Sequence, residues 1–204
     1  MSGVLPCRSC SFCFVRKIKG GSMYQSRAFT ILELMITLAI AAVLVAIAVP
    51  NFQDSIIRAR LSSQSSDLLA TLQLARSDAV MRNEAVTVCV SSNGRDCLTS
   101  GTQQWENGWI AYLDATPTSL LRVISSFSSG YTLRSASSIG DSITFAANGR
   151  SSATGQFVSC YDGAVANSKA VFVATSGRIY EGKDNNGNGI PEDEFADDIT
   201  SCDP

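Results

Sequence analysis

The 204-residue chain is 45% apolar and 17% charged with a net charge of -2, which fits a packed domain and excludes a disordered polyelectrolyte. It contains no histidine, which removes Ser-His and Cys-His nucleophilic machinery and His-based metal centres. No carboxylate pair is marked out for acid–base work either, so the sequence reads as no enzyme. Five of the 16 basic residues (Arg8, Arg16, Lys17, Lys19, Arg27) fall in the first 28 positions without an acid, leaving 11 cations against 18 acids. So acidic a body is a poor general binder of nucleic acid.

Phe29 to Val49 forms an apolar run of 21 residues with one charge, Glu33, and Pro50 follows. As a helix it spans about 30 Å, the thickness of a hydrocarbon core. The basic residues before it mark that side as cytoplasmic and place the body after Phe52 in the periplasm. A secretory signal peptide cut at Ala46-Ile47-Ala48 is the competing reading. A carboxylate inside an apolar segment costs roughly 1 to 3 kcal/mol unless it meets a partner. A signal peptide has no use for one, so that reading is the weaker.

Phe29-Thr30-Ile31-Leu32-Glu33-Leu34 resembles the class III signal of type IV pilins and type II secretion pseudopilins. The resemblance implies that a prepilin peptidase cuts between Ala28 and Phe29 and methylates the new amine of Phe29. It also implies that Glu33 neutralises the terminal ammonium of a neighbouring subunit during assembly. Opposite charges in a low-dielectric medium offset each other's desolvation, which makes that role chemically sound. Two features depart from the family pattern: Ala28 stands where Gly is usual, and the leader of 28 residues is long. A start at Met23 would leave a six-residue leader with one positive charge, so residues 1–22 are expected not to be translated. The Cys7, Cys10 and Cys13 spacing lacks a fourth metal ligand and is set aside.

Beyond Pro50, which would kink a helix, Ile57, Leu61, Leu68, Leu72, Ala75 and Ala79 recur on one stripe. Ser62, Ser63, Ser66, Arg76 and Asp78 form the polar face. The expected helix runs over 29–83, with 29–49 its transmembrane half. After residue 84 come β-branched and aromatic runs: Val86–Val90, Trp109–Leu113, Leu121–Ile124, Ile143–Phe145, Phe157–Cys160 and Val171–Ala174. Ser, Gly and Asn clusters separate them, as between antiparallel strands. Ser125–Ser138 reads as a Ser-rich loop. The fold class is α+β: a long N-terminal helix packed on an antiparallel β-sheet head, residues 84–204, with an acidic C-terminal tail.

The segments "LLATLQLARSDAVMRNEAVTVC", "NGWIAYLD" and "FAANGRSSATGQFVSC" resemble the GspH/FimT family of minor pilins and pseudopilins. With the leader motif, the likeness covers most of residues 28–180. It implies assembly into a type IV pilus or type II secretion pseudopilus, with other pilin subunits, the prepilin peptidase and the inner membrane as partners. A DNA-binding minor pilin for natural transformation is the alternative.

Four cysteines, Cys89, Cys97, Cys160 and Cys202, follow the membrane run, an even number facing an oxidising compartment. Three pairings are open. A three-residue hairpin loop over Ser92-Asn93-Gly94 would set Cys89 opposite Cys97 and leave Cys160 to Cys202. From Glu181 to Asp203 there are eight acids and one cation, Lys183. Asp184, Asn186, Asn188, the Ile190 carbonyl and Glu192 follow the alternate spacing of a calcium loop. Phe195 stands where a bidentate Glu belongs, so an Asn/Gly turn in a solvated tail is the favoured reading and no cofactor is expected. In Gly177-Arg178-Ile179-Tyr180, some DNA-binding relatives carry a second arginine where Tyr180 stands. Arg178 alone is a weak phosphate contact.

Overall fold

The computed structural model describes residues 29–98, 101–193 and 197–204. Ala28 and the expected leader lie outside them. Two compact units are distinguished, one ending at Ala46 and one running over Ile47–Pro204.

Helix α1, Ile31–Arg82, starts where the Thr30 hydroxyl accepts the Glu33 N–H at 3.1 Å, a side-chain cap on an otherwise orphan donor. It ends at Asn83, which adopts φ 53°. The Asn83 N–H donates to the Val80 carbonyl and the Glu84 N–H to the Ala79 carbonyl, a Schellman closure with Asn in the left-handed position. In the first unit the helix surface is apolar and exposed, and by length and composition α1 is able to cross a membrane. In the second unit the expected stripe is the buried one: Leu61, Leu68, Leu72, Ala75 and Ala79 are fully enclosed, and Ile57 is half-buried. Each enclosed leucine contributes about 1.5 to 3 kcal/mol by leaving water. Asp78 departs from the expected polar face. It is buried, and its carboxylate lies 3.7 Å from Arg82, one turn on.

The strands are β1 (Val86–Val90), β2 (Gly108–Leu113), β3 (Thr116–Ser125), β4 (Tyr131–Ser135), β5 (Ser142–Phe145), β6 (Gly155–Tyr161), β7 (Ala164–Val173) and β8 (Ile179–Glu181). They form two antiparallel four-stranded sheets, ordered β3-β2-β1-β5 and β4-β6-β7-β8, rather than one. β1 is buried along its whole length because ladders flank it on both sides and the main core lies against it.

That core joins the α1 stripe to Val86, Val88, Trp105, Trp109, Phe145 and Phe157. Trp105 meets Phe157 edge-on at 4.9 Å, and the Trp109 indole N–H donates to the Thr71 hydroxyl on α1 at 3.1 Å. The period of two along a strand gives β6 and β7 a second buried face. There Val158, Cys160, Ala170 and Phe172 pack with Ile199 from the C-terminal segment. The C-terminal segment is thus docked on the second sheet through Ile199 and Cys202, while residues 183–188, the expected Asn/Gly turn, are exposed. The expected Ser125–Ser138 loop is also corrected, since it contains β4, where Tyr131, Leu133 and Ser135 point inward in strict alternation.

Candidate assembly site and the loops of the head

Phe29 precedes α1 and is 78% exposed, and Glu33 lies in the helix's first turn, also exposed. Thr30-x-x-Glu33 has the spacing of a capping box, with threonine at the cap and glutamate at the third helical position. A carboxylate there also sits favourably against the positive end of the helix dipole. The sequence reading missed Thr30, although the T-x-x-E spacing was its visible signal. Around these two polar groups the surface is continuous hydrocarbon: Ile31, Leu32, Leu34, Met35, Ile36 and Leu38 are all exposed. The arrangement presents one anionic group at the start of an apolar rod.

In the head, disulfides join Cys89 to Cys97 and Cys160 to Cys202. The first does not arise from a β-hairpin. Both edges of β1 are already taken by β2 and β5, so residues 91–97 have no free edge to pair with. Asn93 organises the return instead: its side-chain oxygen accepts the N–H groups of Arg95 and Asp96, each at 2.9 Å. The Leu98 N–H then donates to the Val90 carbonyl at 2.8 Å, and Gly94 takes φ 68°. The second disulfide links buried Cys160 on β6 to the C-terminal segment.

The Asp184 carboxylate accepts three backbone N–H groups, from Gly187 (2.7 Å), Asn188 (3.1 Å) and Gly189 (2.8 Å). The Asn188 side-chain oxygen accepts the Ile190 N–H at 2.8 Å, and the Asn186 and Asn188 amides donate to Asp198. Glu192 is buried and accepts a hydrogen bond from the Asn185 amide. The loop is thereby closed by its own side chains. Among the described residues no three His, Cys, Asp or Glu side chains are gathered as a metal would require. Glu194 and Phe195 lie outside the described residues.

Arg178 is exposed, with its guanidinium 4.6 Å from the centre of the Tyr180 ring, and Tyr180 stacks on Phe172 at 5.2 Å. Tyr180 therefore caps the second core, and its place in the Gly177-Arg178-Ile179-Tyr180 segment has a packing cause.

A family model described as the type II transport protein GspH matches residues 64–177. The prokaryotic N-terminal methylation motif matches residues 23–49. No curated protein matches the chain. Among solved structures, the type IV minor pilin FimU of Pseudomonas aeruginosa is similar in two crystal forms. One gives a TM-score of 0.53 at 23% identity over 71% of this chain and 96% of FimU. The other gives 0.51 at 22% identity over 69% and 98%. At this identity the likeness is one of fold.

Proposed function

Because the chain belongs to the GspH family of pilin-like proteins, we propose that it is a structural subunit, a minor pilin or pseudopilin, rather than an enzyme. It is held in the inner membrane by residues 29–49 with its head in the periplasm. After cleavage of the leader between Ala28 and Phe29 and methylation of Phe29, it is assembled through α1 into a type IV pilus or type II secretion pseudopilus. The prepilin peptidase and other pilin-like subunits are its partners in that scheme. The observation that carries the reading is Glu33, a single carboxylate at the start of an exposed apolar helix, inside a matched methylation motif.

An unpaired carboxylate in hydrocarbon is unfavourable, and a neighbouring subunit's terminal ammonium would relieve it. Thr30 contributes by fixing the first turn, which sets where the Glu33 side chain leaves the helix. The DNA-binding alternative gains no support from the comparisons, and the excess of acids over cations weighs against it.

The test is filament fractionation of cells producing Glu33→Ala. The variant is expected to be processed to a chain beginning with N-methylated Phe29 and to remain in the membrane fraction, depleted from sheared filaments. A wild-type chain beginning at Val49, or normal assembly of the Glu33→Ala variant, would overturn the reading.

A further inference from the structure

A depression of about 430 Å³ opens where α1, β7 and a loop of the acidic C-terminal lobe come together, within the roughly 300 to 1,000 Å³ of small-molecule sites. Arg58 and Ser62 line it from α1, Asn167 and Lys169 from β7, and Asp184 and Gly189 from the loop. The Asn167 N–H donates to the Gly189 carbonyl at 2.8 Å, which holds the loop against the strand. Val171 and Val173 of β7 belong to the main core, so the alternation of the strand turns Lys169 toward α1 as well. Its ladder partner Ser159 reaches the same helix, with the hydroxyl donating to the Gln64 side chain at 3.5 Å.

The charges of this depression are unmatched. Arg58 is exposed and Lys169 half-buried, and neither forms an ion pair among the described residues. Asp184 meets no cation either. Its two oxygens accept three backbone N–H groups, which leaves about one of a carboxylate's four acceptor positions open. Glu192 and Asp198 of the same lobe are already engaged by the Asn185, Asn186 and Asn188 amides. The depression thus offers two free cations and one carboxylate with room for a further donor.

Its level along α1 narrows the ligand. Within the second unit the exposed apolar surface of the helix runs on through Phe52 and Ile56, which are 69% and 41% exposed. Arg58 stands about 3 Å along the axis past Ile56, and Ser62 about 9 Å past it. Helical side chains lean toward the N-terminus, so the long Arg58 side chain reaches back toward that apolar end. The headgroup layer on each side of a bilayer is about 5 to 8 Å deep. With the apolar surface immersed, the depression opens at the level of the headgroups.

We propose that it receives the headgroup of a phospholipid of the periplasmic leaflet that carries both a phosphate and a primary ammonium, a phosphoethanolamine. The phosphate is shared by Arg58 and Lys169, and the ammonium donates to Asp184. A purely anionic headgroup would leave Asp184 opposed to it, and a choline headgroup has no N–H to donate. The inference rests on residues 29–49 being the membrane anchor and adds to that reading a lipid that seats the head.

The experiment places the full-length chain in lipid nanodiscs of phosphatidylcholine, alone or with phosphatidylethanolamine or phosphatidylglycerol added. Native mass spectrometry of the released chain then reads which lipid stays bound. Phosphatidylethanolamine is expected to be retained over the other two. Arg58→Ala and Lys169→Ala should each lower that retention about threefold, the scale of one exposed charge pair. Asp184→Asn should bring phosphatidylethanolamine and phosphatidylglycerol to equal retention, whereas a merely disrupted loop would lower both and keep their ratio. Indifference to the arginine and lysine substitutions would overturn the proposal. So would displacement of the lipid by inorganic phosphate, which would make this a site for the free ion. A chain that enters the discs but holds all three lipids alike refutes the headgroup site alone, whereas a chain that does not enter them refutes the anchor and the site together.

Discussion

Gly177→Ala and Gly163→Ala make a matched pair of perturbations. Both glycines sit in tight turns at similar positive φ, 77° and 70°. A left-handed alanine costs about 1 kcal/mol at either site through backbone strain alone. At Gly163 an added Cβ meets open space. At Gly177 it would overlap the Gly149 carbonyl oxygen and come within 2.9 Å of the Arg76 Nε. The obstacle is backbone, so relief requires the turns at Gly149 and Gly177 to separate and Arg76, which donates to the Gly149 and Ser176 carbonyls, to lose its hold on them. Overpacking of this kind adds roughly 1 to 3 kcal/mol. For a domain of this size each kcal/mol lowers Tm by about 2 to 4 °C. Gly163→Ala should thus lose about 2 to 4 °C and Gly177→Ala about twice that or more. Thermal unfolding of the full-length protein in detergent, followed by the fluorescence of the enclosed Trp105 and Trp109, reads the difference. Equal losses would refute the claim that the turns are in contact.

Covalent closure and the acidic loop supply the remaining predictions. The Cys160–Cys202 disulfide closes a segment with a sequence separation of 42 and Cys89–Cys97 one of 8. Loop entropy then ranks the paired serine substitutions at about 4 and about 2.5 kcal/mol of lost stability, and denaturant titration should return that order. Asp184→Ala deprives Gly187 and Gly189 of their acceptor, whereas the Asn188 N–H keeps the Asn186 side-chain oxygen, so the two glycine amides are expected to exchange faster while the rest of the head keeps its protection. Wild-type Tm should not move in millimolar calcium, and a rise that Asp184→Ala removes would instead make the loop a cation site.

Long-period features were legible in the sequence and short ones were not. The apolar run and the Leu61–Ala79 stripe repeat over many turns, so the pattern outweighs any single residue. β4 was hidden because one of its inward positions is a serine. Ser135 is fully buried, with its hydroxyl donating to the Gly140 carbonyl at 2.7 Å. The first half of β7, Ala164 to Lys169, carries little β-propensity and is held in place by its partner β6. Its signal was the Asp162-Gly163 dipeptide, a two-residue turn with both φ positive that joins paired Tyr161 and Ala164. Asp78 defeated the polar-face rule because only the folded head encloses that stretch of α1. In the candidate assembly site Glu33 was visible as an anomaly of charge. Thr30, an ordinary residue by composition, gains its role from position at a helix start.

The Cys160–Cys202 bond also decides how the head carries a load. β7, β8 and the acidic lobe all lie inside the covalent ring it closes. Tension applied to the lobe divides between two routes, one back through β7 and one through the Cys202 side chain. Both converge on β6, which β4 and β7 grip along either edge. A tug on this lobe would have to shear a doubly anchored strand before any length of chain could be drawn out. Reduction of that single bond would convert the same pull into the peeling of strands one at a time.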